Sequence, residues 1–135
     1  MKRSEINYDI DNENAIAQTF RVCLPEFAYF TVDDWLQRER DNWQEVVDLQ
    51  LGWDITDFGR GDFNQTGLTL LTMRNGALGS AAYPKPYAEK MLQSQQDQQT
   101  PWHFHTHKME DILNRGGGDL CMQLAWANEA NLCDD

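Results

Sequence analysis

From Gly52 onward the chain is punctuated by glycine: Gly52, Gly59, Gly61, Gly67, Gly76 and Gly79 divide it into short pieces. Glycine breaks regular structure and supplies turns, so this spacing suits short strands joined by turns. GLTLLTMRNG (67–76) is an apolar, Thr-rich run closed by Asn75-Gly76, which predicts a strand ending in a hairpin-type turn. YAEKMLQS (87–94) and TPWHFHTH (100–107) are two further candidate strands on either side of the polar turn QQDQQ. DLCMQLAWA (119–127), after the glycine turn at 116–118, is another. No internal repeat is present.

The front of the chain has a different rhythm. Ser4 is a candidate N-cap, and Ile6, Ile10, Ile16 and Phe20 recur at helical spacing, which predicts a helix over 4–20. Pro25 in LPEFAYF breaks it. TVDD then offers a second start, with Thr31 three residues before Asp34, and predicts a helix over 33–48. Trp35, Trp43, Val46 and Val47 make an apolar stripe on that helix, expected to serve as core. The expectation is a helical front end followed by an antiparallel meander.

A length of 135 residues supports one domain with a sizeable core. Acidic side chains number 22 against 11 basic ones, a formal net charge of -11. That balance argues against nucleic acid or an anionic membrane as a partner. Cys23, Cys121 and Cys133 form no C-x-x-C, so neither a disulfide framework nor a zinc ribbon is indicated, and reduced thiols in a cytoplasm fit best. The start MKRSEINYDI has no following apolar stretch of leader type, and no apolar run approaches the roughly 18 residues of a membrane-spanning helix. A soluble, cytoplasmic chain is expected.

All three histidines lie in HFHTHKMED (103–111). His103 and His105 are two apart, so on a strand both imidazoles leave one face and reach a common ion at about 2.1 Å. Glu110 is five residues beyond His105; this odd separation requires a bend or bulge in THKM for the three to converge. Two imidazoles and a carboxylate form a facial set with open positions, suited to divalent Mn, Fe, Co, Ni or Zn. His107 shares the imidazole face of a regular strand but sits where the bend should begin, so it is left outside the ligand set.

HFHTHKMEDILNRGGG resembles the first motif of the cupin superfamily, H-x-H, four residues, Glu, six residues, Gly, with His103, His105, Glu110 and Gly117 in place. The leading glycine of that motif, six residues before the first histidine, is Asp97 here. LGWDITDFG (51–59), GLTLLTMRNG, YPKPYAEK (83–90) and HFHTHKMEDILNRGGG together resemble the bacterial D-lyxose ketol-isomerases, from the MKRSEIN start to about residue 126. The resemblance implies a mainly β fold, a cupin double-stranded β-helix barrel of jelly-roll type, here incomplete and preceded by a helical region. Residues 1–66 would form that helical and loop region packing on the barrel, and 67–135 the first part of the barrel. It further implies a manganese-dependent isomerase that interconverts D-lyxose with D-xylulose and D-mannose with D-fructose, typically as a homodimer. His103, His105 and Glu110 would be metal ligands, and Lys90 and Lys108 match active-site lysines; Lys85 has no such counterpart.

Aldose–ketose isomerisation moves a proton from C2 to C1 and needs the intervening enediolate stabilised. A divalent cation on the two sugar oxygens does this as a Lewis acid, while Lys90 and Lys108 donate hydrogen bonds or shuttle protons. Cupin sites are usually closed by a fourth ligand, a histidine in G-x5-P-x-G-x2-H-x3-N, and no histidine follows His107. The chain therefore reads as the front portion of a longer protein, a part-barrel with unpaired edges that is expected to be marginally stable or to associate. Two other readings share these ligands: a cupin of different chemistry, such as an iron oxygenase, and a non-catalytic half-barrel remnant.

Overall fold

A computed structural model describes residues 2–105 and 107–126, in two compact units, one up to Pro101 and one from Trp102. In the first unit α1 spans Arg3–Thr19. It starts one position earlier than expected. Lys2, not Ser4, is the N-cap, and its backbone N–H donates to the Glu5 carboxylate at 2.7 Å, which satisfies a donor the helix would otherwise leave open. The helix ends in a pair of reversed hydrogen bonds, Val22 N–H to the Ala17 carbonyl and Arg21 N–H to that of Gln18. Arg21 takes the left-handed conformation this motif requires, φ 54°, at a position that usually favours glycine.

Pro25 opens a 3-10 turn over Glu26–Tyr29. Thr31 then caps α2 (Val32–Gln37) as its spacing to Asp34 predicts: Asp34 N–H donates to the Thr31 hydroxyl at 3.2 Å, and Thr31 N–H donates back to the Asp34 carboxylate at 2.9 Å. The Thr31 hydroxyl also donates to the Asp34 carboxylate at 2.6 Å, and this bond first, then the one from the Thr31 N–H, holds the Asp34 carboxyl below its ordinary range.

The expected single helix over 33–48 is broken into α2, a 3-10 turn at Arg40–Trp43 and α3 (Gln44–Asp48), with Arg38 and Glu39 extended between them. Trp35 and Trp43 explain the break. Eight residues of continuous helix rise about 12 Å, yet these rings sit 6.4 Å apart and each meets Phe30 edge-on, at 5.1 and 4.7 Å. Arg38 lies over Phe30 with its guanidinium carbon 3.7 Å from the ring centre. The chain folds back to assemble this cluster. Of the expected core stripe only Val46 is fully buried; Trp43 is half-buried, and Trp35 and Val47 stay exposed.

Three antiparallel strands follow in the order β1 (Gly52–Thr56), β2 (Leu68–Arg74), β3 (Glu89–Gln93). Register puts Trp53, Leu71 and Met91 in one row and Ile55, Thr69 and Gln93 in the next, on one face. The helical front covers that face: Trp53 Nε1 donates to the Ala28 carbonyl at 3.0 Å, and Gln93 Nε2 to the Glu13 carbonyl at 3.2 Å. Leu71 and Thr69 on central β2 are almost wholly buried there, with Ala17 and Ala28 from the helical side. Leu71→Ala should cost about 2–5 kcal/mol in urea unfolding, because the cavity opens where both neighbouring strands and the helices meet. A loss below about 1 kcal/mol would show that this row is not the core.

Asn75-Gly76 does not make a tight hairpin. Residues 75–88 form a long connection instead, which closes back on itself through Ala77 N–H to the Tyr83 carbonyl at 3.0 Å. A Cβ at Gly76 would collide with the Lys85 carbonyl, so glycine is needed there for backbone contact rather than for a two-residue turn. Asn75 Nδ2 donates to the Leu49 carbonyl at 3.2 Å, Tyr83 Oη to Asp48 at 2.8 Å, and Lys85 pairs with Glu45, which ties the connection to α3 and its end.

The expected strands at 100–107 and 119–127 are absent among the described residues; Thr106 and Ala127 lie outside them, as do the acidic residues Glu129, Asp134 and Asp135. After the 95–98 turn, Gln99 makes an isolated parallel bridge with Thr66 and no further ladder forms. A strand needs a hydrogen-bonded neighbour to be one, and alternating side chains alone do not supply it. The described residues thus contain a three-stranded antiparallel sheet with one long helix and a few short ones. No described helix is long and apolar enough to cross a membrane.

Candidate metal centre

The second unit carries the titratable cluster on irregular backbone. His103 and His105 meet edge to face, ring centres 5.0 Å apart. A bend at His107 turns the chain, and Glu110 returns to the imidazoles, its Oε1 3.2 Å from His105 Nε2. One ligand atom each from His103, His105 and Glu110 lies within 4.8 Å of the others. Neighbouring donors on an ion with bonds of about 2.1 Å stand roughly 3 Å apart, so the His105–Glu110 pair is already at coordination spacing and the group as a whole needs only a small contraction. The donor chemistry also fits a divalent ion. All three residues are exposed, which leaves positions open on the solvent side.

Lys108 Nζ donates to the same Glu110 oxygen at 2.5 Å. That hydrogen bond is the main cause that holds the Glu110 carboxyl below its ordinary range; burial opposes it, the charges of Lys108, His105 and His103 add to it, and the group is an anionic donor at neutral pH. The Lys108–Glu110 contact was not anticipated, although opposite charges two residues apart beside a required bend were its signal.

His103, His105, Glu110 and Lys108 are therefore brought together. His107 is exposed and stands outside the three-residue group. Lys90 is on β3 in the first unit, exposed and paired across the ladder with Thr72. Lys85 is held by Glu45, which accounts for it without a role in chemistry.

A helix-covered sheet followed by a bent His-x-His…Glu segment defines a protein with a candidate divalent-metal site. Comparison with known proteins makes the class specific. The chain belongs to the D-lyxose isomerase family, whose model matches residues 1–135. It is 49% identical over 124 residues to a D-lyxose/D-mannose isomerase of Serratia proteamaculans, covering 92% of this chain and 54% of that protein. Identity to the D-lyxose/D-mannose isomerase of Escherichia coli O157:H7 is 47% over 131 residues, 97% of this chain and 57% of that protein. The chain thus spans little more than half the length of these curated relatives. The family expected from the sequence segments is borne out.

Proposed function

We propose that this chain acts in aldose–ketose isomerisation, converting D-lyxose to D-xylulose and D-mannose to D-fructose through an enediol, with manganese as the metal and His103, His105 and Glu110 as its ligands. The observation that carries the reading is the meeting of those three donors within a chain matched along its length by the isomerase family. The ion, when bound, supplies Lewis-acid stabilisation of negative charge on the sugar oxygens. Glu110 stays anionic to hold it. Lys108, hydrogen-bonded to Glu110, would offer its N–H donors to a sugar oxygen beside the group that would hold the ion. Lys90 offers a second ammonium that donates to the reacting oxygens or carries a proton between them. The wider reading includes a cupin barrel, a homodimer and a cytoplasmic location.

Purified chain loaded with manganese should bind one ion per chain and convert D-lyxose to D-xylulose, with turnover lost on chelation and regained on adding manganese back. One bound ion without turnover would sink the claim that these residues suffice for the reaction and favour a binding module.

A further inference from the structure

One oxygen of the ligand group has two neighbours. Glu110 Oε1, 3.2 Å from His105 Nε2, also accepts the hydrogen bond from Lys108 Nζ at 2.5 Å. In the other ion pairs of the described residues, Glu26, Glu45 and Glu89 each meet a single cationic side chain, whereas Glu110 is shared between an ammonium and an imidazole. The ammonium therefore sits on the oxygen that meets His105, the one a common ion would draw on.

Two cations do not both keep that oxygen at close range. An ion bonded to Oε1 at about 2.1 Å and an ammonium 2.5 Å from the same atom stand less than about 5 Å apart, where a dication and an ammonium repel strongly. The tether makes the competition local. Met109 is the single residue between Lys108 and Glu110, so the ammonium meets the carboxylate at a high effective concentration. A lysine stem is long and flexible, and Nζ can leave Oε1 without a change in the backbone that carries Glu110.

From this shared oxygen we infer that Lys108 is a tethered competitor of the metal for Glu110: its ammonium lets go of Oε1 when an ion is taken up, and so sets the metal concentration at which the site fills. The inference rests on the ligand assignment proposed above and adds a regulation of that site. Release has a second consequence. The N–H donors that leave Glu110 are the ones offered to a sugar oxygen, so uptake of the ion and readiness of Lys108 are one event. Lys108→Met keeps the length of the side chain and removes the cation, and manganese should then bind more tightly.

The test is isothermal titration with manganese of the unsubstituted chain, Lys108→Met and Lys108→Arg. For a charged hydrogen bond that water partly screens, the manganese Kd should fall roughly 3- to 10-fold in Lys108→Met and stay within about twofold in Lys108→Arg, which keeps the cation. Chain carrying isotope-labelled lysine supplies a second readout by NMR. On titration with zinc, a diamagnetic ion that the same donor set accepts, the Lys108 ε-methylene signal should move toward its position in metal-free Glu110→Gln, where no carboxylate holds the ammonium. Neither readout depends on turnover. The inference is overturned, with the ligand assignment left standing, if Lys108→Met binds manganese no more tightly than the parent, if Lys108→Arg gains as much, or if the ε-methylene signal stays in place while zinc binds. If the unsubstituted chain takes up no manganese, the ligand assignment fails and takes this role of Lys108 with it.

Discussion

Replacing His105 by alanine should lower manganese affinity by at least about 100-fold, since loss of even an outer partner of a metal ligand costs 10- to 100-fold. His105 is the imidazole already 3.2 Å from the Glu110 carboxylate, so its removal leaves the other two donors without the group that links them. D-lyxose turnover should fall with the affinity. His107→Ala is the matched comparison: it removes an exposed imidazole two residues away, outside the ligand group, and should leave both quantities within about twofold. Isothermal titration with manganese measures the first quantity and xylulose formation the second. Equal losses from both substitutions would mean that the segment binds through a loose histidine cluster, and the three-ligand assignment would fall.

The second large effect is expected on α1, in the first unit. Glu13 is only 5% exposed on α1, its Oε2 has no hydrogen-bond partner among the described residues, and burial followed by the nearby Asp9 carboxylate pushes its pKa up to about 7. The Oε1 of Gln93, whose amide nitrogen bonds to the Glu13 backbone, is also an acceptor without a donor. A proton on Glu13 therefore serves the fold. Because the folded pKa lies above that of the unfolded chain, this contribution is complete below about pH 4.5 and is lost as pH rises through about 7. The difference from the ordinary carboxylate value corresponds to on the order of 3 kcal/mol between the two limits, an upper figure for a site that water can enter. Glu13→Gln should flatten this dependence and make the protein more stable at pH 8 than its parent, as measured by urea unfolding at pH 5 and pH 8. A variant that keeps the parent's pH slope would place the titrating group elsewhere.

Several features were legible in advance because they depend on neighbours in the chain. The Thr31–Asp34 cap follows from a three-residue spacing that lets each side chain reach the other's backbone. The apolar, Thr-rich run at 67–76 located β2, the segment 87–94 before the polar turn QQDQQ located β3, and Pro25 marked the end of the first helical stretch. The grouping of His103, His105 and Glu110 was legible for the same reason: the two histidines are two apart, and the bend that Glu110 required lies within the next five residues.

What failed did so wherever distant residues decide the outcome. A helical pattern over 33–48 gave way because packing Trp35, Trp43 and Phe30 edge to face requires a reversal that no local preference announces. Asn75-Gly76 carries a hairpin signature, but Leu49, Glu45 and Asp48 recruit the residues around it into a long connection. Alternation at 100–105 predicted a strand and the described chain there forms no ladder, because alternation states which way side chains point and not whether another strand is present.

By itself, then, the sequence determined the Thr31 cap, the positions of β2 and β3, the grouping of His103, His105 and Glu110, and the family. These are properties of spacing and residue chemistry, readable within a few positions. Only the tertiary structure decided that Glu13 is enclosed, that Lys85 is bound by Glu45, and that Asp54 and Lys90 share one face of the sheet across β2. Each of those depends on contacts between residues 40 to 80 positions apart or on strand register, where packing and hydrogen-bond pairing, and not local propensity, set the energy.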